Sequence, residues 1–304
     1  MTDAPAILVV GDLVADVRIA PTEPPAPGEE VAGDVTLHGG GSAANQAAWL
    51  ASLGARVRFA GRVGDDALGA LLTDELVAAG VDARVARDAT RPTGIVAALI
   101  GDGGERALVT GRAANVRLAP SDVPAALWDD AAVLVLTGYC FTHPDVAATG
   151  RALVDEARRR ALPFVVDPAS ARLFSVHPGA RAFLEWTSGA AWCLPSAAEA
   201  RALTGASSAE DAARALLSSY EGVAVTDGAR GCVVATRAAS RAERVAVPAV
   251  VDALDTTGAG DAFAAGFVHA WTTGAGPRDA ARAGHAAAAR ALAVPGARPP
   301  GPRP

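Results

Sequence analysis

Short apolar runs alternate with longer, alanine-rich helical patterns over most of the chain. Each apolar run is bounded by Gly, Asp or Pro, as the ends of buried parallel strands are. The predicted strands are Ile7–Val10, Val57–Ala60, Val133–Leu136, Phe164–Val166 and Val223–Thr226. The predicted helices between and after them are Ala43–Leu53, Ala67–Ala79, Asp145–Arg160, Ala209–Ser218 and Asp279–Leu292. This alternation predicts an α/β fold in which helices cover both faces of a parallel sheet.

Two segments, Val14–Leu37 and Thr93–Thr110, depart from this rhythm. They carry short alternating apolar residues with Pro and Gly, which favours strands of a small second sheet. A sheet at the carboxyl ends of the main strands would lie near the expected ligand crevice. We therefore expect one domain over residues 1–304, with lid segments at about 14–37 and 93–110. The Pro-rich last ten residues predict an ordered turn followed by a frayed tail.

The composition of the 304-residue chain narrows the class of protein. Hydrophobic residues make up 51% and charged residues 20%, so the chain can bury a large core. The net charge of −6, without a dense basic run, argues against a nucleic-acid partner. No apolar run is long enough for a membrane span, and the N-terminus does not resemble a signal peptide. The three separated cysteines predict buried thiols, so we expect a cytoplasmic protein.

The strongest local signal is the stretch Asp255–Phe263, DTTGAGDAF, before an apolar helical pattern at Ala262–Thr272. Small residues leave the amides of this turn open, and a helix start adds N–H groups and partial positive charge. The turn therefore predicts a site for a transferring phosphoryl group. Asp261 is either a helix cap or a base that accepts a proton from an attacking alcohol. Asp255 either orients the turn or helps to hold a cation.

The glycine run Gly39–Gly41 is the second unusual element, and SAANQ follows it directly. Three glycines beside a helix start allow a ligand to approach the backbone closely. Ser42 is interpreted as a cap of that helix. Asn45 is a poor helix former whose amide could bind a polyhydroxylated ligand, and Asp16 could accept hydrogen bonds from the same ligand. A structural role for each of these residues stays open.

Other familiar site motifs do not occur. The sequence has no GxxxxGK[ST] loop, no GxGxxG after the first strand, and neither HExxH nor GxSxG. The Walker phosphate loop and a dinucleotide Rossmann site are therefore not expected.

Together the two glycine-rich elements resemble the signatures of the ribokinase-like carbohydrate kinases, or PfkB family. The signature GGxxxN matches Gly40–Asn45, and the signature DTxGAGD matches Asp255–Asp261. The resemblance runs through almost the whole chain and includes Gly61–Gly69 and Thr226–Gly231. It implies a three-layer α/β/α sandwich with a mainly parallel central sheet and a small β-sheet lid.

The resemblance also implies roles for individual residues. Asp261 would be the catalytic base, and the amides of Gly258, Ala259 and Gly260 would form the anion hole. The implied contacts to the substrate are Asp16, Gly40, Gly41, Asn45 and Asn115. The implied contacts to the nucleotide are Ser196, Glu199, Thr226, Gly228, Gly231, His285 and Ala288. The implied cofactors are ATP and Mg²⁺, with Glu199 acting on the metal through water; many relatives also hold a monovalent cation such as K⁺ where Asp255 and Thr257 lie.

Four departures from the family pattern bear on the substrate. Ser42 replaces a lysine, Val14 replaces an asparagine, and Thr137–Tyr139 lacks the glutamate that meets the sugar. These three lie at the sugar end, so D-ribose is not assigned as the acceptor. The fourth departure is Ser196, which replaces the asparagine of an NxxE motif.

The sequence thus predicts an ATP-dependent kinase that phosphorylates a hydroxyl, expected to be primary, of a sugar or sugar derivative. A nucleoside kinase of the same fold is one alternative, and a catalytically silent binding or regulatory protein is another. The resemblance further implies a homodimer formed through the lid.

Overall fold

Thirteen strands form two sheets within residues 5–101, 106–239, 241–248 and 253–300, the parts of the chain that the computed structural model describes. In chain order the strands are β1 Ala6–Val10, β2 Val14–Pro21, β3 Gly33–Gly40, β4 Val57–Gly64, β5 Asp82–Asp88, β6 Ile95–Ile100, β7 Arg106–Gly111, β8 Ala131–Thr137, β9 Phe164–Asp167, β10 Trp192–Cys193, β11 Gly222–Thr226, β12 Cys232–Thr236 and β13 Glu243–Val245.

The larger sheet has the order β13-β12-β11-β10-β9-β8-β1-β4-β5. Its neighbouring strands are parallel except in the pairs β11–β12 and β12–β13. Because parallel strands need crossover connections, the helices return over the sheet faces. The helices of the described part are α1 Ser42–Ser52, α2 Ala67–Ala78, α3 Pro144–Arg159, α4 Ala180–Thr187, α5 Ala197–Thr204, α6 Ala209–Leu216, α7 Ala259–Thr272 and α8 Pro277–Leu292.

Two apolar cores lie on opposite faces of this sheet. Side chains alternate along β1, so Ile7 and Val9 join one core while Leu8 and Val10 join the other. The first core is shared with α1, α2, α7 and α8, and the second with α3, α4, α5 and α6. The predicted three-layer sandwich is therefore confirmed.

The smaller sheet has the order β3-β2-β6-β7 and is built from the two predicted lid segments. Strand β2 pairs antiparallel with β3 and parallel with β6, and β6 pairs antiparallel with β7. Val14, Asp16 and Arg18 alternate onto the face that looks toward the main sheet. On the opposite face, every strand position that pairs with a neighbouring strand is either a glycine or an apolar residue. The apolar residues include Val17, Ile19, Val35, Leu37, Ile95, Ala97, Leu99, Ala107 and Val109.

Most differences from the predicted elements have simple physical causes. Strand β5 reads DARVARD and alternates charge with apolar residues, because it is an edge strand half open to water. Strand β10 is only two residues long, which is too short for a periodic signal. Helix α7 begins at Ala259 rather than Ala262, since the glycine turn itself enters the helix.

The remaining expectations concern the cysteines, the membrane and the C-terminus. Cys140, Cys193 and Cys232 are buried and form no disulfide, as predicted. Among the described residues, no helix is both long and apolar enough to cross a bilayer. The chain turns near Gly296, as expected, whereas the predicted frayed tail at 301–304 lies outside the described residues.

Candidate active site

A cavity of about 390 Å³ opens between the lid and the carboxyl ends of the main strands. This is the position at which open α/β sheets bind their ligands. Both glycine-rich motifs reach it, because α1 and α7 begin side by side beneath the lid.

The start of α1 is held by a residue that follows β1. The Asp12 carboxylate accepts the N–H groups of Ser42 at 3.3 Å and Ala43 at 3.1 Å, and so caps the helix from outside. Gly41 has a φ of +95°, and a Cβ there would lie 2.5 Å from the Asp12 carbonyl oxygen. Since Asp12 supplies the cap, the interpretation of Ser42 as the helix cap is wrong.

The Ser42 hydroxyl instead joins the two motifs. It donates to Asp261 Oδ1 at 2.6 Å, and the Asn45 amide donates to Asp261 Oδ2 at 2.9 Å. These pairs are separated by 219 and 216 residues in the sequence. Asp261 is the third residue of α7, but its side chain bonds to α1 and not to an N–H of its own helix. The helix-cap alternative for Asp261 is therefore wrong.

Two acids of the cavity titrate near neutral pH. Burial raises the pKa of Asp261 to about 7, although the hydrogen bonds from Ser42 and Asn45 act in the opposite direction. Burial and the charge of Asp12 raise the pKa of Asp16 to about 6, against the lowering effect of nearby arginines. Perturbed carboxylates in a cleft are typical of functional sites.

Asp167 and Glu199 bring two further carboxylates to the cavity. Gln46 donates to Asp167 at 2.8 Å and lies 3.4 Å from the Ser42 hydroxyl, so a polar chain runs from Asp261 to the end of β9. Glu199 accepts the Ser196 N–H at 2.7 Å in a capping box at the start of α5. Burial raises the pKa of both acids, and repulsion by Glu199 and Asp261 raises that of Asp167 further.

The start of α7 is fixed by Asp255 and by the C-terminal segment, residues 296–298. Asp255 accepts the N–H of Thr257 at 2.8 Å and its hydroxyl at 2.6 Å. Its other oxygen accepts the Gly296 N–H at 3.0 Å. Asp255 thus orients the turn, which is one of its two predicted roles.

The same segment reaches α1 through a residue that the sequence did not single out. The Arg298 guanidinium donates to the Gly40 carbonyl at 3.1 Å and to Asn45 Oδ1 at 3.4 Å, and pairs with Glu75 at 3.2 Å. The neighbouring Ala297 carbonyl accepts the Trp49 indole N–H at 3.0 Å. A Pro-rich terminal stretch carries no periodic signal from which these contacts could be predicted.

Tyr139 lies in the segment where the resemblance implies a glutamate, and Arg112 stacks on its ring. Arg112 pairs with Asp12 at 3.0 Å, and its guanidinium carbon lies 3.4 Å from the centre of the Tyr139 ring. Both side chains line the cavity, and burial raises the pKa of Tyr139 to about 12. The sequence indicated that the glutamate is missing, but no local pattern indicated that Arg112 lies beside Tyr139.

Comparison with known proteins agrees with this geometry. The family model described as pfkB family carbohydrate kinase matches residues 4–303. The chain belongs to the PfkB family of carbohydrate kinases. An ATP-dependent ribose-1-phosphate kinase from Halopiger xanaduensis is 34% identical over 254 residues, 82% of this chain and 79% of that protein. A ribokinase from Haemophilus influenzae is 28% identical over 300 residues, 96% and 93% of the two chains.

The fold comparison points to the same family. The crystal structure of adenosine kinase from Sinorhizobium meliloti has a TM-score of 0.87 and 26% identity, covering 97% of this chain and 96% of that one. The protein is therefore a PfkB kinase that phosphorylates a hydroxyl of a sugar or nucleoside, and the silent alternative does not fit.

Most residues implied by the PfkB resemblance line the cavity. They are Asp16, Gly41, Asn45, Ser196, Glu199, Thr226, Asp255, Thr257, Gly258, Gly260 and Asp261. Gly40 is not among the lining residues; its Cα lies against the Asp16 carboxylate, and its carbonyl accepts a hydrogen bond from Arg298. The Ala259 N–H points to the Thr256 carbonyl at 3.4 Å, a long contact.

Asn115 does not reach the cavity, contrary to its predicted contact with the substrate. Its amide accepts the Leu13 N–H at 2.8 Å and donates to the Leu13 carbonyl at 3.1 Å. These bonds occupy the buried Asn115 side chain, which thereby holds Leu13 in place just before β2 begins.

The predicted nucleotide residues beyond Thr226 also lie outside the cavity wall. Gly231 packs against the Val245 carbonyl, and His285 Nε2 lies 3.3 Å from the same oxygen. His285 is buried against Phe263, and burial lowers its pKa. Ala288 is a partly buried member of the α8 core, and Gly228 starts the turn after β11.

We expect Gly258→Ala to destabilise the protein, because φ is +75° and the new Cβ would lie 2.5 Å from the Ala297 carbonyl oxygen. The free energy of unfolding in urea should fall by about 2–4 kcal/mol. Gly274→Ala is the matched control, since φ is +96° but no atom lies within 4 Å of its Cβ. It should lose only about 1 kcal/mol. Equal losses would contradict the packing of the C-terminal segment on the turn.

Proposed function

We propose that Asp261 is the general base of an ATP-dependent kinase whose acceptor hydroxyl, belonging to a sugar or sugar derivative, enters beneath the lid. The observation that carries this proposal is the Asp261 carboxylate itself, held by Ser42 and Asn45 where the two motifs meet at the cavity. A helix cap would not need partners on another helix. A base must be held in one orientation toward the attacking oxygen.

In the proposed step the acceptor oxygen attacks the γ-phosphorus of ATP. Its proton passes to Asp261, the new O–P bond forms, and the bond from phosphorus to the β-phosphate oxygen breaks to release ADP. The carboxylate accepts this proton readily because burial brings its pKa to about 7, close to ambient pH.

The start of α7 supports stabilisation of the transferring group. Gly258 and Gly260 line the cavity, and the first-turn N–H groups of a helix have no acceptor within it. Together with the helix dipole they favour negative charge at this point. The hydrogen bond from the Ala259 N–H to the Thr256 carbonyl is long and therefore weak. Little energy would be lost if this N–H bound an oxyanion instead.

The residues present fit Mg²⁺ held by ATP and water. Asp167, Glu199 and Asp261 face one cavity, and their mutual repulsion would be relieved by a cation. No cluster of three His, Cys, Asp or Glu side chains in the described ranges could bind a metal alone. Glu199 and Asp167 would therefore hold the ion through water, and the ion would offset charge on the phosphates. A K⁺ ion beside Asp255 and Thr257 stays a prediction.

The acceptor end combines polar and apolar walls. Asp16 and Asn45 offer hydrogen-bonding groups for hydroxyls, which suits a sugar ring. The lid contributes Val96, Ile100 and Leu108, which could cover the base of a nucleoside. A nucleoside is therefore the second candidate acceptor, and an acceptor panel assayed by ADP release distinguishes the two.

We expect Asp261→Asn to lower kcat by about 10²- to 10⁴-fold while leaving the KM values for ATP and acceptor little changed, because the amide cannot accept the proton. Asp279→Asn is the matched control: Asp279 is also the third residue of its helix, α8, but lies outside the cavity. Near-normal turnover of Asp261→Asn would exclude Asp261 as the base.

The pH dependence provides a separate test of the same residue. A base works as the carboxylate, so kcat/KM for the acceptor should rise with pH through about 7. Ser42→Ala removes a hydrogen bond that favours the charged form, so this limb should move to higher pH by about one unit. Ser218→Ala, which removes an exposed hydroxyl, should leave the profile in place. A limb that is unmoved or moves to lower pH in Ser42→Ala would argue against this assignment.

We also propose that the outer lid face pairs with the same face of a second copy. Val35 and Val109 are 63% and 73% exposed, and no polar side chain interrupts the apolar surface around them. An exposed apolar sheet face of this kind marks an interaction site. A two-fold contact of the lid with itself would cover it in both copies.

We expect Val35→Glu to convert a dimer into a monomer, because the contact would bring two carboxylates into an apolar interface. Sedimentation velocity or light scattering measures the change. The control is Val176→Glu, an equally exposed valine outside the lid, with 64% exposure. A wild-type protein that stays monomeric at high concentration would refute the lid dimer.

A further inference from the structure

Arg18 is a charged side chain of the cavity for which the proposed mechanism has no use. It lies on β2, on the lid face that lines the cavity. Among the residues that the structure describes, none forms an ion pair or hydrogen bond with its guanidinium. An arginine has five N–H donors in a fixed fork that matches phosphate and carboxylate groups.

Within the described ranges, the surroundings of Arg18 do not offer a carboxylate partner. Its cross-strand neighbours are Thr36 on β3 and Ala98 on β6. Asp16 and Asp34 share the same lid face, but neither approaches within ion-pair distance. In the described part of the lid, the positive charge of Arg18 is therefore not neutralised.

The spacing from Asp16 suggests what this charge contacts. Residues two apart on a strand share a face and lie about 6.6 Å apart along it. Asp16 can accept hydroxyls of a sugar ring, so Arg18 would meet a group at the far side of that ring. The anion-binding turn at Gly258–Gly260 belongs to α7, whereas Arg18 belongs to the lid.

Arg112 supplies a second cation of the cavity, close enough to Asp16 to lower the pKa of that carboxyl group. It follows β7 at the base of the lid, where β7 ends opposite Ile95. Asp12 accepts from its Nη1 at 3.0 Å, and the Tyr139 ring fixes the guanidinium plane. No other hydrogen bond from this guanidinium is made within the described part of the chain, so donors are left for a ligand. Arg298 is a further cation near Asp16, but its guanidinium already donates to Gly40 and Asn45 and pairs with Glu75.

We propose that the acceptor is an anionic sugar, carrying a phosphate or a carboxylate that Arg18 binds with Arg112 as the second cation. This inference rests on the proposed kinase function and specifies its substrate class. Water displaced by a bound acceptor would strengthen a charge-assisted hydrogen bond to Arg18 and would make an unpaired guanidinium costly. A neutral sugar would leave the Arg18 guanidinium unpaired, so the site would discriminate against neutral sugars.

The first test compares matched acceptors with the wild-type protein and ATP. Ribose is paired with ribose 1-phosphate and ribose 5-phosphate, glucose with gluconate, and adenosine is included as a neutral nucleoside. We expect kcat/KM to be about 10- to 100-fold higher for one anionic member than for its neutral partner. The pair that shows the difference distinguishes phosphate from carboxylate.

The second test uses variants of Arg18. Arg18→Gln should raise the KM for the anionic acceptor by about 10- to 100-fold and so abolish most of the preference, and Arg18→Lys should restore part of it. Arg84→Gln, at an exposed arginine of β5 outside the cavity, is the control and should keep wild-type kinetics. Calorimetric binding of the same anionic sugar without ATP should weaken in parallel.

The outcomes separate this inference from the proposed function. Wild-type turnover that is equal or better with neutral acceptors would overturn the anionic acceptor and leave the kinase proposal intact. If Arg18→Gln lowered kcat/KM equally for anionic and neutral acceptors, the anionic-acceptor inference would also be overturned, since Arg18 would then not distinguish the charge of the acceptor. No turnover with any acceptor would count against the kinase proposal, and calorimetry would still decide whether Arg18 binds the anion.

Discussion

The hydrogen bonds from Ser42 and Asn45 to Asp261 are the contacts on which the rest of the site depends. They require two helix starts, distant in sequence, to meet with their first turns in contact. Each start is fixed independently: Asp12 caps α1, and Asp255 ties the α7 turn to Gly296. The Asp261 carboxylate is thus oriented by Ser42 and Asn45, and the helix starts that carry these residues are fixed by Asp12 and Asp255. A base preorganised for catalysis requires such support.

Charge is distributed unevenly in the cavity. Asp167, Glu199 and Asp261 lie toward the motifs of the phosphoryl-transfer end, where burial raises the pKa of each. Arg18 and Arg112 lie toward the lid. Asp16 also lies on the lid and Arg112 is paired with Asp12, so Arg18 is the lid cation left for the anionic group of the proposed acceptor. At the other end, the cation proposed to accompany ATP would relieve the repulsion among the carboxylates.

The lid illustrates how one sheet can serve two purposes. Because side chains alternate across a strand, β2 presents Asp16 and Arg18 to the cavity and Val17 and Ile19 to the outside. A shift of register by one residue would exchange these faces and destroy both surfaces. The pairing of β2 with β3 and β6 therefore determines the surface proposed to bind the acceptor and the surface proposed to form the dimer together.

The sequence by itself determined the class of fold, the lid segments and the two motifs, because strand and helix periodicity and glycine-rich turns are local properties. It also singled out Asp261 but left its role open. An aspartate at a helix start can be a cap or a base, and the sequence does not show which groups its carboxylate bonds to. Only the tertiary structure excluded the helix cap, through the bonds from Ser42 and Asn45, and the role as base is the proposal that these bonds support. The tertiary structure likewise showed that Asn115 binds backbone, that Arg298 ties the C-terminal segment to Gly40, and that Arg18 has no carboxylate partner among the described residues. Contacts between residues far apart in the chain depend on how the helices and strands pack, and no local pattern encodes them.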